Sequence, residues 1–262
     1  MKPKILHIDI ETAPMLVWAW GLYNQNISIG QIEKDWYILC WAAKWHGEEI
    51  IYSDALWKAS KGKRHKPIHE KAIVESLWVL LDKADIVVGH NADKFDVAKV
   101  NAKFFEYGLK PPSPFKVVDT LKAARANFRF SANRLNYISQ LIDVGEKIKT
   151  DFDLWLDVMI GVPEACDKMM EYNIKDVLLL EEIYTALRPW ITNHPNVGVY
   201  SEENETVCPA CGSTHINYRG YAYTATSKFR RFVCKDCGHW GRSAHNELPL
   251  EKRKGLARNV AK

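Results

Sequence analysis

Apolar residues change their spacing along the chain, and this change predicts the order of strands and helices. Segment 4–10, KILHIDI, is a short apolar run with alternating character, which predicts a buried strand. Segments 16–20 and 36–45 are rich in aromatic and β-branched residues, and they predict two further strands. Shorter runs of the same kind predict strands at 48–52, 85–88 and 115–118.

Apolar residues at helical spacing separate and follow the later strands. They predict helices over 68–83, 94–107, 131–144 and 163–187, and another that begins at Thr120 with Asp119 as its N-cap. Strands that come first and then alternate with helices indicate an α/β domain, with a mixed sheet flanked by helices.

Composition excludes several classes of protein. The chain has 262 residues, of which 47% are hydrophobic and 26% charged, so it is neither a disordered chain nor a fibre nor a disulfide miniprotein. Its apolar runs fall short of the roughly 18 residues that cross a membrane. Asp9 and Glu11 interrupt the N-terminal segment where an export signal needs an apolar stretch. We therefore expect a cytoplasmic protein with no membrane partner.

Charge is distributed unevenly between the two ends of the chain. Residues 205–262 contain 11 Lys and Arg against 4 Asp and Glu, a net charge of +7, whereas the first 204 residues carry −3. A basic end of this kind suggests a nucleic-acid partner, and a further basic loop is predicted at 54–66. The polar, aperiodic segment 194–205 predicts a linker. We predict three regions: a domain at 1–195, a small domain at 205–245, and a basic tail at 246–262.

Four of the six cysteines form two Cys-x2-Cys pairs separated by 22 residues. In a chain with no export signal, this spacing predicts a tetrahedral, structural Zn²⁺ site and not a set of disulfides. The intervening segment 217–232 is strand-like and aromatic, which together with the pairs predicts a zinc ribbon. The ribbon is expected to contact nucleic-acid phosphates, although a protein partner stays open as an alternative. The zinc ligands are Cys208, Cys211, Cys234 and Cys237, and the basic contacts are Lys228, Arg230 and Arg231.

Acidic residues and a tyrosine occupy three separate points of the larger domain. Asp9 and Glu11 stand at i and i+2, so both project from one side of a buried strand, and a divalent cation would relieve their repulsion. Asp96 follows the strand at 85–88, near the start of a helix, which is where α/β folds place their sites. Tyr172 and Asp176 stand at i and i+4 and share one helix face.

Together these motifs resemble the DEDD superfamily of 3′→5′ exonucleases, in its DEDDy branch. The Asp-x-Glu motif appears as residues 9–11 followed by Thr12, the Asn-x3-Phe-Asp motif as residues 91–96, and the Tyr-x3-Asp motif as residues 172–176. The chain is most similar to the proofreading domains of family B DNA polymerases and their stand-alone relatives. The resemblance covers about residues 4–188 and implies an RNase H-like fold.

The resemblance also implies two-metal chemistry with Mg²⁺ or Mn²⁺. It assigns Asp9 to both ions, Glu11 and Asp176 to the ion that activates water, and Asp96 to the second ion. Tyr172 is expected to orient the attacking water. Three further motif residues are predicted to contact nucleic acid: Thr12, Asn91 and Phe95.

The expected function is metal-dependent 3′→5′ exonuclease activity on single-stranded or frayed DNA ends, aided by the ribbon. One alternative is an RNA exonuclease or a structure-selective nuclease on the same fold. An alternative of another class is a nucleic-acid-binding adaptor whose nuclease is idle. Asp119 is interpreted as a helix cap, and His7 and His90 as core or strand-end residues.

Overall fold

The computed structural model describes residues 2–60, 70–202 and 205–258, with the side chains of residues 59 and 60 excepted, and it divides into two compact units. The first unit comprises Lys4–Tyr184, and the second begins at Thr185. The division therefore falls within the last turns of the longest helix, ahead of the linker predicted at 194–205.

A five-stranded mixed sheet forms the centre of the first unit. Its spatial order is β5-β4-β1-β6-β7; β4 runs antiparallel to both of its neighbours, whereas β6 runs parallel to β1 and β7. The predicted mixed α/β architecture is thereby confirmed. The strands of this unit are β1 (Ile5–Thr12), β2 (Leu16–Val17), β3 (Ile32–Lys34), β4 (Ile38–Trp45), β5 (Ile51–Ala55), β6 (Ile86–Gly89) and β7 (Lys116–Asp119).

The core explains the apolar pattern of β1 and β4, which alternates in β1 and is almost continuous in β4. Leu6, Ile8 and Ile10 of β1 are buried, and seven of the eight residues of β4 are buried. Strands covered by helices on both faces need apolar side chains on both faces. The carboxylates of β1 therefore lie at the end of a strand that is otherwise core.

Seven helices of the described residues surround this sheet. The longest matches its predicted range of 163–187, and the helix predicted over 131–144 is confined to seven residues. The helices are α1 (Leu56–Ser60), α2 (Glu70–Leu81), α3 (Asp96–Glu106), α4 (Thr120–Asn127), α5 (Leu135–Leu141), α6 (Phe152–Ile160) and α7 (Pro163–Leu187).

The structure corrects four local predictions. The strand expected at 16–20 has only the two residues of β2, and the strand expected at 48–52 begins at Ile51 because a turn with Gly47 in the left-handed region (φ 78°) precedes it. Helix α6 was not predicted, although its buried residues Leu154 and Val158 stand at the helical spacing i and i+4. Asp151 caps it by accepting from the N–H of Leu154 at 3.2 Å. A fourth prediction, the basic loop at 54–66, is wrong over 54–60, where β5 ends and α1 follows because Leu56 packs into the core. Residues 61–66 of that loop lie outside the described residues.

The second unit contains a three-stranded antiparallel sheet in the order β10-β9-β8. Part of the predicted linker contacts the first cysteine turn, where the N–H of Val197 donates to the carbonyl of Pro209 at 2.8 Å. Within the described ranges, no helix is both long and apolar enough to cross a membrane. The elements of this unit are β8 (Ile216–Thr224), β9 (Ser227–Cys234), β10 (Trp240–Arg242) and α8 (Leu250–Lys254).

Candidate metal centre

Three carboxylates from distant parts of the chain converge at the end of β1. Asp9 and Glu11 project from β1, and Asp176 projects from α7, with one oxygen of each lying within 4.8 Å of the others. The i, i+2 spacing of the first pair places both on one side of the strand, as the sequence predicts. Asp176 is only 2% exposed, so this convergence brings a third negative charge into a poorly solvated place.

Asp96, the last residue of the second motif, is hydrogen-bonded to the same strand. It begins α3, is 2% exposed, and its Oδ1 accepts a hydrogen bond from the backbone N–H of Ile10 at 3.1 Å. Ile10 stands between Asp9 and Glu11, so Asp96 is held beside the three-carboxylate cluster without belonging to it.

Burial and mutual repulsion raise the pKa values of these acids. Burial, followed by repulsion from Glu11, Asp96 and Asp176, raises the pKa of Asp9 well above its ordinary value. Burial and then the charge of Asp176 raise the pKa of Glu11 to about 8, and burial raises the pKa of Asp96 to about 7. A divalent cation would reverse these shifts, because it stabilises the charged forms.

Asn173 belongs to the site but was not assigned from the sequence. It is fully buried, and its Nδ2 donates to Oδ2 of Asp9 at 2.6 Å and to the Asp9 carbonyl at 3.2 Å. Asn173 and Asp176 stand at i and i+3 on α7 and so share a face, which is the signal that could have found it. The amide fixes the orientation of the Asp9 carboxylate.

Lys147 is the second residue that the sequence did not reveal. It lies in the loop between α5 and α6, where its Nζ donates to the Tyr172 hydroxyl at 2.9 Å and pairs with Asp176. Burial favours its neutral form, but the Asp176 carboxylate raises the pKa of the ammonium overall. This loop has no periodic pattern, so only the tertiary fold brings the lysine to the acids.

Tyr172 keeps its proton at neutral pH. Burial and the charges of Asp176 and Glu11 raise the pKa of its hydroxyl. It can therefore orient a neighbouring group by hydrogen bonding but is a poor general base.

The acidic cluster fits a hard divalent cation. Among the described residues, the buried Oδ1 of Asp176 has no hydrogen-bond partner. Carboxylate oxygens without nitrogen or sulfur ligands are the set that Mg²⁺ and Mn²⁺ prefer. The unpaired oxygen and the raised pKa values both indicate an environment in which a cation is favourable.

The three residues predicted to contact nucleic acid lie at the end of β1 and in the segment between β6 and α3. Thr12 ends β1, and Phe95 immediately precedes α3; both side chains are partly buried. Asn91 has a φ of 74°, a left-handed conformation that asparagine tolerates better than most residues, and its N–H donates to Asp119 at 3.0 Å. Asp119 also caps α4, as its interpretation as a helix cap requires.

The four ribbon cysteines form a second cluster with different chemistry. The Sγ atoms of Cys208 and Cys237 are 3.7 Å apart and those of Cys211 and Cys234 are 3.6 Å apart, and all four lie within 4.8 Å of one another. All are free thiols. A tetrahedral zinc site with Zn–S bonds of about 2.3 Å has sulfur atoms about 3.8 Å apart, so this set fits Zn²⁺. The nearby His215 is instead paired with Asp236.

The three predicted basic contacts of the ribbon lie over aromatic rings. Lys228 Nζ is 3.7 Å from the centroid of Tyr221, and the Arg230 guanidinium is 3.9 Å from that of Tyr218. The Arg231 guanidinium lies 5.0 Å from the centroid of Trp240, on the other face of the sheet. Tyr221 and Trp240 are exposed, whereas Tyr218 is partly buried.

Comparison of the chain with known protein-family models gives no match, and comparison with curated protein sequences gives none either. The chemistry of the two clusters is an oxygen-rich acidic site at the end of β1 and a thiolate site in the ribbon.

Proposed function

We propose that this chain is a metal-dependent 3′→5′ exonuclease of the DEDDy type, with an RNase H-like fold, that acts on single-stranded or frayed DNA ends. The observation that carries the proposal is the convergence of Asp9, Glu11 and Asp176 at the end of one buried strand, with Asp96 hydrogen-bonded to that strand. The mixed sheet with β1 at its centre is compatible with the fold that the motifs imply.

The four acids would hold two Mg²⁺ or Mn²⁺ ions, which when bound supply an activated water and stabilise the leaving 3′-oxygen. The protein's own side chains position these acids and the tyrosine. Asn173 holds the Asp9 carboxylate in one orientation, and Lys147 holds Asp176 and Tyr172 together.

Tyr172 is suited to positioning and not to proton abstraction. Its oxygen accepts a hydrogen bond from Lys147, and its raised pKa keeps its own proton in place at neutral pH. The hydroxyl therefore offers one fixed donor beside Asp176. A donor so placed can orient the attacking water or a phosphate oxygen, and Lys147 fixes its direction.

The ribbon is proposed to strengthen nucleic-acid binding. Its strands carry the cation and ring pairs, and the chain from residue 205 has a net charge of +7, which attracts phosphates. The buried, mutually repelling acids favour an enzyme over an adaptor with an idle nuclease, because a binding module gains nothing from such a costly cluster.

The deciding experiment follows single-stranded DNA and RNA of the same sequence, labelled at the 5′ end, with Mg²⁺ or with chelator. A 3′→5′ exonuclease produces a ladder of progressively shorter labelled strands only with Mg²⁺, and Asp9→Asn should abolish it. Asp93→Asn is the matched control, because Asp93 lies within the second motif but pairs with Lys122. Cleavage of RNA alone would transfer the proposal to RNA, and the absence of Mg²⁺-dependent cleavage of either strand would refute it.

A further inference from the structure

A third group of potential metal ligands lies along the same strand and helix as the acids. His7 projects from β1, His46 follows β4, and Glu181 lies on α7, with one ligand atom of each within 4.8 Å of the others. His7 stands two residues before Asp9, and Glu181 stands five residues after Asp176. The group is thus displaced along the contact between β1 and α7, and it shares no residue with the acidic cluster.

Two distances between ligand atoms in this group are close to those between neighbouring ligands of a bound transition metal. The Nδ1 atom of His46 is 3.2 Å from Nε2 of His7 and 3.2 Å from Oε1 of Glu181. Metal–nitrogen and metal–oxygen bonds of about 2.0–2.1 Å at tetrahedral angles put neighbouring ligand atoms about 3.3 Å apart. Both contacts of His46 therefore have the separation expected of neighbouring ligands in such a site, and the third pair, His7 and Glu181, lies within 4.8 Å.

Hydrogen bonding among the three residues has only one proton to share at Nδ1 of His46, which faces two atoms at the same distance. If Nδ1 carries the proton, that proton is divided between Glu181 and the Nε2 lone pair of His7 in a three-centre bond. If Nδ1 carries the lone pair, that pair faces a carboxylate oxygen. A single cation at the common point satisfies both nitrogens and the carboxylate together.

Neighbouring groups hold the three ligands in place. Glu181 accepts from the Gly47 N–H at 2.7 Å and pairs with Lys44, and the rings of His7 and His46 each lie 5.3 Å from the ring of Tyr184. Supported ligands of this kind are typical of metal sites.

A cleft of about 420 Å³ reaches one of the three ligands, Glu181. Its charged lining consists of four glutamates and two lysines: Glu48, Glu49, Glu181, Glu182, Lys44 and Lys175. The glutamates outnumber the lysines, so the cleft attracts cations toward Glu181.

We propose that His7, His46 and Glu181 bind one transition-metal ion of the Zn²⁺ class, with water as the fourth ligand. Two imidazoles and one carboxylate are softer than the all-oxygen set at Asp9, Glu11 and Asp176, so the two sites differ in metal preference. This proposal does not depend on the exonuclease proposal, because it concerns metal binding alone.

The test titrates Co²⁺ into the full chain, purified with zinc in its cysteine site, in excess Mg²⁺. The wild type should bind one Co²⁺ more than His46→Gln or Glu181→Gln, and this ion should show the visible absorption of tetrahedral cobalt without a thiolate charge-transfer band. His245→Gln is the matched control, an exposed histidine outside all three ligand groups. Repeating the titration in Asp9→Asn separates this site from the acidic cluster.

A second variant distinguishes a loss of metal binding from a loss of folding. His46→Cys retains a metal ligand, so added Co²⁺ should produce a new thiolate-to-cobalt band near the ultraviolet, which no hydrogen-bonding role can produce. The proposal is overturned if the folded variants, checked by circular dichroism, bind as much Co²⁺ as the wild type, or if the new band is absent.

Discussion

The side-chain amide of Asn173 donates to the carboxylate of Asp9 at 2.6 Å, although 164 positions separate the two residues. This bond joins α7 to the end of β1 and orients the carboxylate that the proposal assigns to both metal ions. Asn173 is fully buried, so its removal leaves a small polar cavity beside the Asp9 carboxylate.

Asn173→Ala should therefore reduce both stability and Mg²⁺ affinity. Leaving a buried acceptor without its donor costs about 1–3 kcal/mol in free energy of unfolding, and a mobile Asp9 is a poorer ligand. Urea denaturation and Mg²⁺ titration measure the two effects. Asn127→Ala offers a comparison, since that amide donates to the Ala123 carbonyl at 2.9 Å on α4 and contacts no residue of the acidic cluster. Unchanged Mg²⁺ affinity in Asn173→Ala would show that the amide has no part in orienting Asp9.

The acidic cluster should make stability fall with pH when divalent ions are chelated. The folded state raises the pKa of Glu11 from 4.5 to about 8. Between these values the unfolded chain has lost the proton and the folded chain retains it, so rising pH favours unfolding; outside this window Glu11 contributes no slope. Denaturation midpoints from pH 4.5 to 8.5 measure the effect, and Glu11→Gln should reduce the slope. Saturating Mg²⁺ should reduce it too, and an equal slope in all three cases would contradict the assignment.

Tyr172→Phe should slow cleavage without weakening metal binding. The hydroxyl is a positioned donor and not a metal ligand in the proposed site, and removing one such donor costs about a hundredfold in turnover. Single-turnover cleavage at saturating Mg²⁺ gives the rate, and calorimetry gives the Mg²⁺ affinity. Tyr137→Phe controls for the loss of a tyrosine hydroxyl elsewhere in the same unit. If Mg²⁺ affinity falls while the saturated rate is retained, Tyr172 supports the site structurally and does not act on the reacting groups.

Lys147→Met should destabilise the chain more in chelator than in Mg²⁺. Lys147 pairs with the buried Asp176, and its removal leaves that charge without its partner, a loss of about 2 kcal/mol for a partly exposed lysine. A bound divalent ion replaces part of the missing positive charge. Urea denaturation with and without Mg²⁺ tests this, with Lys147→Arg as the charge-preserving control. A loss that is the same in both conditions would mean that Lys147 does not balance the acids.

Neutralising the ribbon cations should reduce the salt dependence of DNA binding. Lys228→Gln and Arg230→Gln should each lower the slope of log affinity against log salt by about one, because each removes one phosphate contact. Binding is measured in Ca²⁺ to suppress cleavage. Lys71→Gln is the control, since Lys71 pairs with Glu75 on α2 of the other unit. An unchanged slope in both ribbon variants would favour a protein partner for the ribbon.

The sequence by itself determined the residues whose chemistry depends on local spacing. The i, i+2 pair Asp9 and Glu11 could be placed on one side of a strand because strand geometry alternates, and the two Cys-x2-Cys pairs indicated a metal because turns of that length bring two thiols together. The apolar period of 163–187 also sufficed for α7, since a long amphipathic pattern changes little with context. The mixed α/β sheet followed from the order of such segments.

Only the tertiary structure decided which distant residues meet. Lys147 lies in an aperiodic loop, so nothing local to it indicates that it pairs with Asp176 and Tyr172. The sequence indicated only that His7 is a core or strand-end residue, and its approach to His46 and Glu181 depends on the pairing of β1 with β4 and on the packing of α7. Helix α6 was missed although its signals are local: Asp151 caps its start, and Gly161 in the left-handed region ends it. Contacts between segments are set by the energy of packing whole elements together, which no short stretch of sequence contains.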